Sequence, residues 1–305
     1  MLTLVVERST RRPGWALFRD AACQLEAISD EEPSRTPDWL ARLGAALDAA
    51  GVSLAEIDRF AAGVGPGSFS GIRAAVASLQ GMALPGGKPL VGVSSAAALA
   101  FALLTERAAR GVALPSRVDE AARALRARAC TSPATVTATC PRAERPGRLC
   151  DQHAIPPIPP GSHTPVAVVG DARRERLWCA VYVLRADGAA AGETAPDTGA
   201  APPGWRLQSL TTTGVRPPAH NDADFVLTTW ADLPGHLPPD TVVISPDWDR
   251  IGERLSSLLP ATQVVAGVRM PSAADVGRLL LSDPEAAHTE PVPIYLHPAV
   301  AEARA

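Results

Sequence analysis

Residues 65–73, GPGSFSGIR, place Gly65, Gly67 and Gly71 directly ahead of an apolar helical stretch, with Ser68 inside the loop and Arg73 just beyond it. Glycines before a helix let backbone N–H groups approach an anion, and the first helical turn adds a partial positive charge. A phosphate contact, supported by Ser68 and Arg73, is therefore the chemistry this spacing could do. The loop lacks the lysine of a P-loop, and its glycines are spaced two and four apart, one residue off the dinucleotide fingerprint. A second reading stands beside the first: a tight strand-to-helix turn in which glycines simply allow close packing.

Other reactive groups are sparse. Ser68 does not lie in G-x-S-x-G, and no histidine occurs in the first 150 residues, so a turn or capping role fits it better than hydrolysis. Cys130, Cys140, Cys150 and His153 could gather a zinc ion, yet intervals of ten residues between the cysteines lack the short chelating turns of such sites, and free thiols are the alternative. No C-x-x-C pair occurs among the five cysteines. Neither a metal nor a cofactor is expected.

These groups must be held by a sizeable core, which 305 residues with 46% apolar content can supply. A net charge of −3 argues against a strongly basic nucleic-acid binder. Lys88 is the sole lysine, so arginine carries nearly all positive charge. No run approaches the roughly 18 apolar residues of a membrane span, and the N-terminus places its apolar residues before its charges, the reverse of a secretory signal. A cytoplasmic protein with no membrane partner is expected.

Strands are predicted at 2–6 and 14–18, joined by a polar turn, and at 57–64 and 88–93. A helix is predicted over 37–50, where Pro37 suits the first turn, Thr36 can cap it, and Leu40, Leu43 and Leu47 form one apolar stripe. Helices at 72–84 and 94–104 follow the glycine loop. Residues 105–163 change texture: nine arginines against three acids over 107–148, then a proline-rich run, an atypical insertion expected to be partly helical near 117–128 and otherwise disordered. Its charge could meet the phosphates of a polyanion or simply be solvated. Two strands joined by a charged turn, DARRER at 171–176, are predicted over 164–184, with strands at 224–228 and 241–245 and helices at 249–258 and 272–281. An α/β protein with a lobe over 1–104, an insertion over 105–163 and a lobe over 164–305 results.

The stretch GPGSFSGIRAAVASLQGMAL resembles the G-P-G-S-F-T-G-[LIV]-R signature of the TsaB (YeaZ) family, the partner subunit in threonylcarbamoyladenosine modification of tRNA. GVSLAEID, PLVGVSSAAALA, DARRERLWCAVY and EPVPIYLHPAV fall in the family's order, so the likeness covers roughly 1–104 and 164–300. It implies a two-lobed actin/Hsp70-like ATPase (ASKHA) fold. Family members usually open with an aspartate after the first strand, where this chain has Glu7. In active members of the wider fold that acid helps position metal and phosphate, and an extra methylene would displace the carboxylate by about an ångström or more.

The catalytic relative TsaD binds its metal with two histidines four apart, and the matching positions here are Ser95 and Leu99, which cannot form that site. The resemblance therefore implies a non-catalytic scaffold that binds a TsaD-like subunit for transfer of a threonylcarbamoyl group to adenosine 37 of tRNA. A TsaE-like ATPase is a further partner, tRNA an indirect one. Helices 37–50 and 72–84 would supply half of a four-helix bundle through Leu40, Leu43, Leu47, Ile72, Val76 and Leu79, or pair with a second copy through the same face. The same stripes would equally suit this chain's own sheet. Rival readings are a free-standing ATP-dependent enzyme using Glu7 and the loop, and a tRNA-binding adaptor working through the insertion.

Overall fold

The computed structural model describes residues 1–29, 38–110, 165–186, 205–210, 225–238, 240–294 and 296. The first sheet grows from a hairpin: β1 (Leu2–Glu7) pairs antiparallel with β2 (Gly14–Arg19), which pairs with β3 (Ala22–Ile28). On the other side of β1, β4 (Arg59–Gly63) and β5 (Leu90–Val93) are added in parallel. The parallel connections require crossovers, and α1 (Trp39–Ala49) and α2 (Phe69–Ala83) supply them. Side chains alternate along these strands with period two. Leu4, Val6, Phe60 and Ala62 pack with α1 and α2, whereas Val5 and Ala61 face the opposite side of the sheet.

That opposite side meets α3 (Ser95–Arg110) and a helix from late in the chain, α5 (Ala273–Ser282), which run between the two sheets. The second sheet is built on β6 (Val166–Arg173) and β7 (Arg176–Ala186), an antiparallel hairpin. β8 (Trp205–Ser209) and β9 (Val226–Thr229) both pair with β7, and β10 (Val242–Ile244) runs parallel to β6. Val166 and Val168 join the central core, and Ala167 and Val169 pack outward with α4 (Trp248–Leu258). The short β11 (Ala287–His288) returns to pair with β5, so α5 and β11 attach the second half of the chain to the first sheet. The result is a mixed α/β protein with two sheets and helices on both faces of each. No helix among the described residues is long and apolar enough to cross a membrane.

The predicted elements have counterparts, with shifted ends. α1 starts at Trp39 with Asp38 in the N-cap position, while Thr36 and Pro37 lie outside the described residues. α2 starts at Phe69, three residues before the expected 72, because the Ser68 side chain accepts the Gly71 N–H and caps it. α3 runs on past 104 to Arg110. The predicted helical patch at 117–128 lies outside the described residues. β3, β8 and β11 were not anticipated from the sequence pattern.

Candidate functional site

β1 delivers Glu7 to the sheet's end with its carboxylate fully buried. Ser95, at the start of α3, donates its hydroxyl to Glu7 Oε2 at 2.6 Å, and the Ser9 N–H donates to Oε1. Ser95 Oγ in turn accepts the Gly65 N–H at 3.0 Å, and the Ser95 N–H returns to the Gly65 carbonyl at 2.8 Å. The acid therefore stitches β1, the glycine loop and α3 together. Room for it comes from Gly63: a Cβ there would lie 1.9 Å from Glu7 Oε2. Burial pushes the Glu7 carboxyl above its ordinary value, the Ser9 and Ser95 hydrogen bonds pull it back, and Asp275 pushes it up again. Among the described residues no cation pairs with it.

The glycine loop is turned against the chain itself. The Ser68 N–H donates to the Ser9 carbonyl at 2.6 Å. A Cβ at Gly67 would meet that carbonyl oxygen at 2.1 Å, and one at Gly71 would meet the Arg8 carbonyl oxygen at the same distance. Gly65, before a cis peptide to Pro66, has φ +97. The N–H groups of Gly65, Ser68 and Gly71 are all engaged internally, and the surfaces nearest Gly67 and Gly71 are carbonyl oxygens, which repel phosphate. The tight-turn reading fits this geometry, and the N–H groups of Gly65, Ser68 and Gly71 are not left for an anion. Arg73 is exposed on α2, with its guanidinium carbon 3.8 Å from the Phe69 ring centroid.

The expected partner interface also needs correction. Leu43, Leu47, Ile72, Val76 and Leu79 are buried against Leu4, Val6 and Phe60 of the first sheet. An apolar stripe at helical spacing satisfies itself on the nearest apolar sheet, and here that sheet is the chain's own. Of the six residues only Leu40 is open to solvent, at 44%. The opposite face is a different surface. α2 exposes Phe69 (54%) and, just past its end, Leu84 (81%), with Ala77 and Gly81 between them. Gly44 on α1 and Gly81 on α2 have nothing within 4 Å of a Cβ position. Exposed apolar ends around small residues allow another helix to come close. No sequence signal marks this face, because Ala77, Gly44 and Gly81 break no amphipathic pattern and Phe69 and Leu84 lie 15 residues apart, at opposite ends of α2.

Ser95 and Leu99 are both buried, the serine hydroxyl being spent on Glu7. Cys130, Cys140, Cys150 and His153 lie outside the described residues. Among the described residues no three His, Cys, Asp or Glu side chains converge as a metal site. A hollow of about 290 Å³ beside Leu237, Pro238, Leu258 and Gln263 holds no titratable side chain.

Comparison with known proteins adds to this geometry. The family model described as TsaD, tRNA N6-adenosine threonylcarbamoyltransferase, matches residues 40–117, from α1 through α3 and beyond. The tRNA N6-adenosine threonylcarbamoyltransferase of Jannaschia sp. (strain CCS1) is 40% identical over 70 residues, 23% of this chain and 19% of that protein. The tRNA threonylcarbamoyladenosine biosynthesis protein TsaB of Escherichia coli (strain K12) is 32% identical over 97 residues, 31% of this chain and 41% of that protein. The matched stretches thus span less than half the length of either relative. YeaZ from Pseudomonas aeruginosa superposes with a TM-score of 0.54 at 19% identity, covering 96% of this chain and 100% of that one. The chain resembles the TsaB (YeaZ) family in sequence and has a YeaZ-like fold.

Proposed function

We propose that this chain is a non-catalytic, TsaB-like subunit of two-lobed actin/Hsp70-like architecture, which docks a TsaD-like transferase in the threonylcarbamoyl modification of tRNA adenosine. The observation that carries the reading is the outward face of α1 and α2, where Leu40, Phe69 and Leu84 stand exposed around Gly44, Ala77 and Gly81. Helices meet most closely where such small residues lie between them, and about 800 Å² buried per partner suffices for a stable complex. A second copy of the chain can use the same face when the partner is absent. The non-catalytic part of the reading draws support from the Glu7 carboxylate and the N–H groups of Gly65, Ser68 and Gly71, which the chain itself engages.

The test is co-purification with a TsaD-like subunit. Phe69→Asp with Leu84→Asp should leave thermal stability nearly unchanged and weaken the complex at least tenfold, because both side chains are exposed in the free chain. Leu43→Asp is the control for the buried stripe: it should unfold the chain, costing several kcal/mol, since it buries a charge. Undiminished partner binding by the Phe69/Leu84 variant would sink the docking face. Turnover of ATP by the isolated chain would sink the non-catalytic reading.

A further inference from the structure

The β6–β7 hairpin carries an arrangement that neither the fold nor the docking face requires. Arg173 and Arg176 are directly paired across the two strands, and Arg174 and Glu175 form the two-residue turn between them. Cross-strand like charges destabilise a hairpin. Arg173, Arg174 and Glu175 all have positive φ, at 66, 52 and 61. Turns of this kind favour Asn-Gly or Asp-Gly, and left-handed backbone is costly for side chains such as these. Backbone held in sparsely populated regions persists only where the surrounding structure enforces it, and such positions cluster at functional sites.

Nearby acids do not relieve the repulsion. Glu175 is taken by Arg254 at 2.6 Å. Asp171 and Asp247 are bridged by Arg250, at 3.1 and 2.9 Å, and Asp249 is taken by Arg11. The side chains of Arg173, Arg174 and Arg176 make no hydrogen bond or ion pair among the described residues, and all three are exposed. Three guanidinium groups thus project from one hairpin tip whose neighbouring carboxylates are paired with other arginines.

We infer that this hairpin tip is a phosphate-backbone contact for RNA, with Arg173, Arg174 and Arg176 as the binding residues. Guanidinium forks match phosphate oxygens bidentately. Antiparallel partners place Cα atoms about 4.5–5.5 Å apart, so the heads of Arg173 and Arg176 can reach neighbouring phosphates of one strand. The choice of RNA over an acidic protein rests on the proposed role in tRNA modification, whereas the anion site itself stands on the hairpin geometry. Such contacts position a polyanion without reading its sequence, and their strength falls with salt.

The test measures binding of bulk tRNA to the full chain by fluorescence anisotropy between about 50 and 200 mM salt. Arg173→Gln/Arg174→Gln/Arg176→Gln should bind at least tenfold more weakly, and its slope of log affinity against log salt should be shallower by about 2, the value for three lost contacts to a single strand. Should the triple variant misfold, Arg174→Gln alone should weaken binding about threefold and Glu175→Gln should tighten it about twofold, the expected directions for single charges at a phosphate contact. Unchanged affinity and slope in these variants, or no tRNA binding by the parent chain at the lowest salt, would overturn the inference. Displacement of tRNA by polyglutamate at equal charge would assign the tip to an acidic protein surface instead. None of these readouts involves the transferase partner, so failure here leaves the docking proposal standing, and loss of docking leaves this one.

Discussion

Each sheet is organised around a hairpin flanked by a parallel strand, and each hairpin places an acid near the end of its first strand: Glu7 as the last residue of β1, Asp171 near the end of β6. Their surroundings are opposite. Glu7 is sealed under the glycine loop with only hydroxyl and amide donors, and burial raises its pKa. Asp171 sits at the edge of solvent, bridged to Asp247 through Arg250, whose own pKa is raised first by the Asp247 hydrogen bond and further by both carboxylates. One acid has become an internal fastener. The other remains a charged surface group beside an arginine-rich tip. The same position in a repeated topology thus serves packing in one sheet and electrostatics in the other.

The strongest way to break this contrast is Gly63→Ala. Its methyl would intrude on Glu7 Oε2 at 1.9 Å and crowd Ser95 Oγ at 3.0 Å, so a loss of roughly 3 kcal/mol or more is expected in chemical denaturation. The loss should shrink when Gly63→Ala is combined with Glu7→Ser, which clears the space. An equally damaging Gly63→Ala in both backgrounds would mean that Glu7 is not what the glycine accommodates.

A subtler probe is Glu7→Gln. Because the folded-state pKa lies above the ordinary value, the folded chain holds this proton more tightly than the unfolded chain does. Stability from this group is complete below pH 4.5, the ordinary value, and is lost as pH rises from there through the folded-state pKa. Glutamine carries no such penalty, so Glu7→Gln should gain in melting temperature over the parent as pH climbs from about 4 to 7, with a gap of a few degrees if about 1 kcal/mol is relieved. Glu26 and Asp275, also raised chiefly by burial, should leave part of the parent's pH slope in place. A gap that closes toward neutral pH would contradict a buried, cation-free carboxylate.

Much of this frame is legible in the residues. The glycine loop announces a sharp turn into α2, and the DARRER segment announces a hairpin. What the sequence pattern leaves open is which side of a helix meets a neighbour. Leu43 and Leu47 recur at helical spacing whether the cover is a partner or the chain's own β1 and β4, and packing chose the latter. The open face of α2 carries only Phe69 and Leu84, at its two ends, around Ala77 and Gly81, so no apolar stripe at helical spacing marks it. The Glu7–Ser95 bond joins residues 88 apart in the chain, and nothing local marks either as the other's partner. β3 alternates buried Cys23, Leu25 and Ala27 with Gln24 and Glu26, a strand pattern diluted by small and polar residues. The strain at 173–175 is invisible from residue types, since neither arginine nor glutamate marks a left-handed backbone.

The smallest effect, and the one that sharpens the comparison most, belongs to Arg250→Gln. Its side chain is 55% exposed while Asp171 and Asp247 are 21% and 24% exposed, so its two ion pairs are partly screened. A loss of at most about 1 kcal/mol is expected, fading in about 1 M salt as screening shortens the reach of both charges. Its sign matters more than its size. Removing charge at Glu7 should stabilise the chain near neutral pH, whereas removing the charge that serves Asp171 should destabilise it. If both substitutions moved stability in the same direction, the two acids would share one environment, and the division between a packed first hairpin and a charged second one would fail.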